Sequence, residues 1–505
     1  MNHAMGFVTV LLVTVATLTI GYWGLRFSRT TSDFFVASRS VRPALNAYAV
    51  SGEYLSAASF LGIAGLVLSF GAEMLWYPIG WTAGYLVLLV LVAAPLRRSG
   101  AYTLPDFAEA RLDSRSVRTL ASVMVVAIGW LYIMPQLQGA GVALRATTGL
   151  PPWAGGLVVA VVVLLNVLAG GMRSITFVQA FQYWLKLTAL FVPLAFLLIV
   201  WIGDGGRSPA DPSLMVGGES GTSWANPIDF AGGHPLYSTY SLMVATFLGT
   251  MGLPHVVVRF YTNPDGKAAR QTTVAVLALL GLFYVLPPVD AALGRLYAPD
   301  LVGSGRADSV VLELPGRMVG ELGADLLTAL LTAGAFAAFL ATSSGLTIAV
   351  AGVIAQDVVS KRVEGVTAFR ISAVVAIVVP FLLALVTRDV AVATVVGLAF
   401  AMAAATFCPL LVLGIWWRGL TDVGAFAGLV VGGLLTGGAV LDNLVTDRSE
   451  GWFAALVGQP AAWSDPLSFA TMILVSRMTR HRLPAHTSRF MVRLHTPEAV
   501  PLDRG

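Results

Sequence analysis

The sequence predicts an all-α protein that crosses a membrane about thirteen times, and three observations carry that reading. The chain is 57% hydrophobic and only 11% charged over 505 residues, against about 25% charged in an ordinary soluble domain. Apolar runs long enough to cross ~30 Å of hydrocarbon at ~1.5 Å per residue recur along its whole length. Lysine and arginine gather in alternate connections, the pattern expected of loops on the cytoplasmic face. The mean hydropathy of +0.79 exceeds what a soluble domain needs. The single cysteine, Cys408, lies in an apolar run, so no disulfide or thiolate metal cluster can form within the chain.

The spans fall at 5–25, 45–70, 73–96, 116–144, 153–170, 178–202, 236–258, 272–297, 322–356, 366–386, 391–417, 423–441 and, weakly, 466–476. The first is too long for a signal-peptide core and no small-residue cleavage site precedes the charged segment after it, so it is expected to be retained. Segment 322–356 exceeds one perpendicular crossing and must tilt or lie partly at an interface. Most of the 31 lysines and arginines fall on one face if the N-terminus is outside. They include Arg26, Arg29, Arg39 and Arg42, then Arg97 to Arg118, Arg173, Arg259 to Arg270, Lys361 to Arg370, Arg418 and the tail after 478. The other face holds few, among them Arg145, Arg295, Arg306, Arg317, Arg388 and Arg448. The basic segment 479–505 is expected to be a mobile cytoplasmic tail. Gly424, Gly428 and Gly432, four apart, predict a close helix contact.

Chemistry is expected where polar residues interrupt spans. The stretch S-G-E-Y-L-S-A-A-S-F-L-G at 51–62 puts Glu53, Ser51, Ser56 and Ser59 inside an apolar run, with Gly52 where the helix could open. An ionisable group at membrane depth marks a ligand or ion path unless small residues there serve only packing. The span 236–258 contains G-T-M-G-L-P-H, in which Gly249, Gly252 and Pro254 weaken the helix and His255 is polar. Two breakable helices that each open a block of five spans point to a midplane site in an inverted-repeat transporter, the alternative being unrelated kinks. In A-x-x-A-T-S-S-G-L-T at 338–347, the hydroxyls of Thr342, Ser343, Ser344 and Thr347 either bond back along the helix or serve a hard cation. Lys186 snorkels, pairs with Glu53 or titrates. Gln136 lines a cavity or joins two helices. Asp290 is expected to be an interfacial cap, and Trp76, Tyr77 and Trp81 interface-belt aromatics. No HExxH, paired-cysteine, Walker or nucleophile-elbow pattern occurs, so no enzyme activity is expected.

These residues carry a resemblance. D-F-F-V-A-S-R at 33–39, E-Y-L-S-A-A-S-F-L-G at 53–62, Y-T-L-P-D-F at 102–107, Q-x-x-G-A-G at 136–141, G-G-M-R at 170–173 and G-L-P-H-x-x-x-R-F-Y at 252–261 make the chain resemble the sodium/solute symporter family. The likeness is greatest to the cation–acetate (monocarboxylate) branch. It implies a LeuT-like fold of two inverted five-helix repeats, at 45–202 and 236–417. One helix and a cytoplasmic loop precede them (1–44), an outer loop separates them (203–235), and two helices (418–478) and the tail follow.

It also implies a sodium site where the first broken helix meets the eighth core helix. Carbonyls of Gly52, Leu55 and Ala338 are the expected donors, with hydroxyls at 341 and 342. Thr342 fits, whereas Ala341 lacks the family's serine, and Ser343 points about 100° away on an ideal helix. Gln179 stands where several members carry an acid, which leaves proton coupling through Glu53 or Lys186 open. The solute is expected near Ser56, Ser59, Gln136, Gly252, Pro254 and His255, and Glu53 beside it would have to be protonated, turned away or paired with Lys186. The function implied is Na⁺-coupled, or H⁺-coupled, uptake of acetate, propionate or pyruvate at the cell membrane, with the ion as the only cofactor. An amino acid or other polar solute is the alternative, and a transporter-like sensor or channel the alternative of another class. The expected partners are the bilayer and a small carboxylate, with no nucleic acid; no oligomeric state is predicted.

Overall fold

The computed structural model describes residues 3–24, 37–228, 234–363, 365–387, 392–446 and 451–500. Asp33 to Val36 of the first motif lie outside the described residues, as do Arg26, Arg29, Arg388, Arg448 and Arg504. Apolar sequence becomes helix because a bilayer leaves peptide groups no partners but each other. Nine helices among the described residues are long and apolar enough to cross a membrane, or eleven when two bent pairs are each counted as one span.

In chain order they are α1 (His3–Gly24), the bent pair α2 (Pro43–Tyr54) and α3 (Ala58–Phe70), α4 (Ala72–Ser99) and α5 (Arg115–Thr148). A 52-residue helical stretch, Pro152–Gly203, follows. It is too long for one crossing at ~1.5 Å per residue. Gly171, at φ 57° and ψ −158°, divides it in a conformation only glycine adopts readily, giving α6 (152–170) and α7 (172–203). The second bent pair is α8 (Pro235–Gly252) and α9 (Pro254–Phe260). Then come α10 (Gly266–Tyr297), α11 (Glu321–Asp357), α12 (Gly365–Val386), α13 (Val392–Trp416) and α14 (Asp422–Val445). The 18-residue α15 (Ala461–Met478) is helical but less apolar. A two-residue hairpin, Met215–Val216 on Glu219–Ser220, is the strand pairing among the described residues.

Proline opens α2, α6, α8 and α9, where its missing N–H costs nothing. Ser114, Asp265 and Thr421 accept from the first turns of α5, α10 and α14. The long α11 runs unbroken through the middle, its most apolar stretch wholly buried, and packs on α7, α5 and α12. Arg118 on α5 ties the basic end together through Asp106 at 2.8 Å, Glu109 at 2.5 Å and Asp357 of α11 at 2.6 Å.

Four expectations are corrected here. The tail is not free over its described part. Helix α16 (Thr487–His495) buries Phe490, Met491 and Leu494, Arg493 Nε donates to Arg98 O at 3.1 Å, and Glu498 accepts from Gly266 N at 2.8 Å. Trp81 and Tyr77 are core residues, not a belt, because their face of α4 turns inward. Asp290 is buried within α10 rather than capping it, with Oδ2 unpartnered. Arg259 is no loop charge, being buried in α9. The glycine row is a close contact as expected. A Cβ at Gly428 would meet the Met472 side chain, and one at Gly432 would meet Ala405 O of α13 and lie 2.8 Å from its carbonyl carbon.

At Gly438, on the same helix, a Cβ meets nothing within 4 Å. Gly432→Ala should therefore lower the melting temperature of the detergent-purified protein. Gly438→Ala should hold or raise it, by the roughly 0.5–1 kcal/mol that alanine gains over glycine in a helix. Equal effects in thermal melts would refute the packing described.

Candidate functional site

The first broken helix stops at Leu55, whose φ of −72° and ψ of 92° leave the helical region, and the chain restarts through a π-turn at Ala58–Gly62. The two halves bend by 69°. Gly52 is required at this point, since a Cβ would run into the Gln179 backbone of α7. Peptide groups released at such a break must be paired inside the protein. Ala57 N donates to Gln136 Oε1 at 2.8 Å, and Gln136 Nε2 donates in turn to Tyr132 O at 3.3 Å. Thr342 Oγ1 of α11 donates to Glu53 O at 2.5 Å. Lys186 Nζ of α7 donates to Leu55 O at 2.7 Å and also to Gly52 O.

The second helix breaks at Leu253 (φ −70°, ψ 119°), with a bend of 44°. A Cβ at Gly252 would come within 2.9 Å of the Ala403 carbonyl carbon, so the glycine lets α8 lie against α13. The two breaks meet. Tyr54 OH, at the end of α2, bonds with Thr250 Oγ1 at 2.8 Å, just before the second break, and donates to Trp81 O at 3.3 Å. From α9, Arg259 Nε donates to Glu53 Oε2 at 2.6 Å, Nη1 donates to Thr176 Oγ1 at 3.0 Å, and Nη2 donates to Gln179 Oε1. Gln179 Nε2 donates onward to Ala341 O at 2.9 Å. Gly345 makes room for the carboxylate, because a Cβ there would overlap it.

Aromatic rings form a continuous wall between the breaks. Phe400 lies 6.2 Å from Tyr54, 5.5 Å from Trp81 and 5.9 Å from Tyr132 between ring centroids. Trp81 continues to Tyr284 at 5.8 Å, and Tyr132 to the edge of His255 at 5.3 Å. In this region Ser56 Oγ, Trp81 Nε1, Tyr85 OH and both His255 nitrogens are buried without a hydrogen-bond partner. Each such group costs about 1–3 kcal/mol if left unmade.

The expected residues fare unevenly. Glu53, Lys186, Gln179, Gly52, Leu55, Ala341 and Thr342 come together, but in different pairings from those anticipated. Glu53 pairs with Arg259, not Lys186, which is wholly buried and neither snorkels nor makes that ion pair. Thr342 reaches across to α2 instead of bonding back along its own helix. Ser343 Oγ is buried without a partner, and Ala338 is buried one turn earlier on α11. Ser59 is engaged by Tyr284 OH at 2.9 Å, and Gln136 is a helix-to-helix bond. Ser56 and His255 keep free polar atoms, whereas Gly252 and Pro254 shape the backbone. Arg259, Trp81, Tyr85 and the other rings were missed. Arg259 sat in plain view, five residues after Pro254, yet the sequence does not tell which side chain it faces.

The breaks are closed over at both ends. At the basic end Asn46 Nδ2 donates to Arg259 O at 3.1 Å and Asn263 Oδ1 at 3.0 Å. At the other end Trp224 Nε1 donates to Val67 O at 2.7 Å, and a Cβ at Gly65 would come within 2.8 Å of Asp308 N. A cavity of about 1930 Å³ opens beyond that seal, lined by Gly65, Phe70, Gln138, Arg145, Asp308 and Glu313 among others. None of the residues at the two breaks lines it.

Two interrupted helices that meet among buried polar side chains are the core of a LeuT-like fold. The chain belongs to the sodium:solute symporter family, whose model matches residues 34–432. It is 33% identical over 438 residues to the uncharacterized symporter YwcA of Bacillus subtilis, covering 84% of each chain. The fold is similar to that of a Na⁺-coupled sialic acid symporter in its substrate-bound outward-open state, with a TM-score of 0.73 at 15% identity over 94% of this chain and 98% of that one. It is also similar to MhsT in complex with L-phenylalanine, with a TM-score of 0.55 at 13% identity over 88% and 99%. The family, the Bacillus relative and the sialic acid carrier are all described as symporters.

Removing one member of a buried ion pair costs about 3–5 kcal/mol because the other charge is left unmatched. Glu53→Gln and Arg259→Met should each lower the melting temperature by more than the Glu53→Gln/Arg259→Met double variant does. Thermal melts in which the single losses simply add would contradict the pairing.

Proposed function

We propose that the chain is a secondary active symporter that carries a small monocarboxylate, such as acetate, propionate or pyruvate, across the cell membrane together with a cation. The observation that carries this reading is the surplus of donors where the two breaks meet. Trp81 Nε1, Tyr85 OH, Ser56 Oγ and His255 have no acceptor. Of the charged side chains there, Lys186 and Arg259 are basic and Glu53 alone is acidic. Unpaired donors beside two basic side chains suit a small anion. The rings of Tyr54, Trp81, Tyr132 and Phe400 suit a short apolar tail.

Family membership and the likeness to the sialic acid symporter support Na⁺ as the coupling ion, and a proton is the second ion to test. The basic end is cytoplasmic and the N-terminus outside, as the loop charges favour. Alternating access then follows from the two seals. The Asn46 and Glu53 ties to α9 part to release solute inward, and the Trp224 and Asp308 contacts with α3 part to admit it. No covalent intermediate is needed.

In proteoliposomes, labelled acetate should accumulate under an inward cation gradient, and unlabelled propionate and pyruvate should compete. Running a Na⁺ gradient and then a proton gradient at equal Na⁺ assigns the ion. Uptake indifferent to both gradients would overturn the symport reading, and competition by amino acids in place of carboxylates would overturn the solute class.

A further inference from the structure

The opened turn of α2 is the position where the family resemblance places a sodium ion, and the residues present do not fit one. Two of the three carbonyls expected to coordinate it, those of Gly52 and Leu55, already accept from Lys186 Nζ. Position 341 carries no hydroxyl, and the Ala341 carbonyl accepts from Gln179 Nε2 at 2.9 Å. The Thr342 hydroxyl directs its proton at Glu53 O at 2.5 Å. Lys186 is fully buried, so its amino group has no water to return to, and it is held by two carbonyls of the turn.

We infer that the tethered amino group of Lys186 takes the place at Gly52 O and Leu55 O that sodium takes in the resemblance, so that Na⁺ does not bind at this turn. The inference rests on the transport reading only in treating the turn as the cation position. Geometry supports it directly. Carbonyls at a broken membrane helix need a donor or a cation, and a tethered amino group supplies the donor without an ion having to enter. A sodium ion placed there would meet the nitrogen at the same two oxygens. The turn consequently keeps its shape whether or not Na⁺ is present. Any Na⁺ that drives this carrier binds elsewhere in it.

The test measures ²²Na⁺ binding to the purified full-length protein, and hydrogen–deuterium exchange of the peptide spanning residues 51–62 in NaCl against KCl at equal ionic strength. Lys186→Ala and Lys186→Met, the second keeping the length of the stem, should each bind one more Na⁺ per chain than the wild type. Adding Thr342→Ala should remove the extra ion. In the wild type, exchange in 51–62 should be the same in Na⁺ and K⁺, and in the variants Na⁺ should slow it. Equal Na⁺ stoichiometry in wild type and variants, or Na⁺-specific protection of 51–62 in the wild type, would overturn the inference. The wild-type measurement needs no variant to fold. Solute uptake, followed in parallel, reports on the transport reading, and neither Na⁺ result depends on it.

Discussion

Peptide groups that leave a helix inside a bilayer must be met by other parts of the protein, and that requirement organises this molecule. Between Gly52 and Ala57 the first broken helix releases carbonyls and an N–H at a depth where water does not reach them. Four different helices answer. Helix α7 sends Lys186 to two carbonyls, α5 sends Gln136 to the N–H, α11 sends Thr342 to a third carbonyl, and α9 sends Arg259 to the carboxylate of the same turn. A break answered by one neighbour would be a local kink. One answered by four is a joint, because moving any of these helices relative to α2 unmakes a specific bond.

The polar network is economical in one respect and exposed in another. Glu53, Arg259, Gln179 and Ala341 O form a chain in which each member is satisfied by the next. Such a network specifies one arrangement, and losing one member is costly. Beside it, the donors of Trp81, Tyr85, Ser56 and His255 stay unmatched. The satisfied half holds the two breaks together, and the unsatisfied half is the part to which the proposed solute is assigned.

Much of this was legible in the sequence. Gly52–Glu53 among serines and Gly252 to His255 around a proline announced both breaks, since glycine, proline and charge are what a membrane helix otherwise avoids. The glycine row at 424, 428 and 432 announced its contact by spacing alone. Partner choice was not legible. Lys186 lies 134 residues from Gly52, and Glu53 206 from Arg259, and only the folded path brings them together. The composition of α4 could not say that Trp81 faces inward, because a ring suits the core as well as the interface. The docked C-terminal helix did leave a trace, in Phe490, Met491 and Leu494, an apolar face on an otherwise basic segment.

The central claim is that the two breaks enclose the place where the solute binds. Its most direct test replaces Ser56 with cysteine, since the native Cys408 is buried and contributes little background. A membrane-impermeant thiol reagent should then modify position 56 and block uptake, and saturating transported solute should slow that modification. Modification at the same rate with and without solute, uptake being intact beforehand, would mean that the solute binds elsewhere.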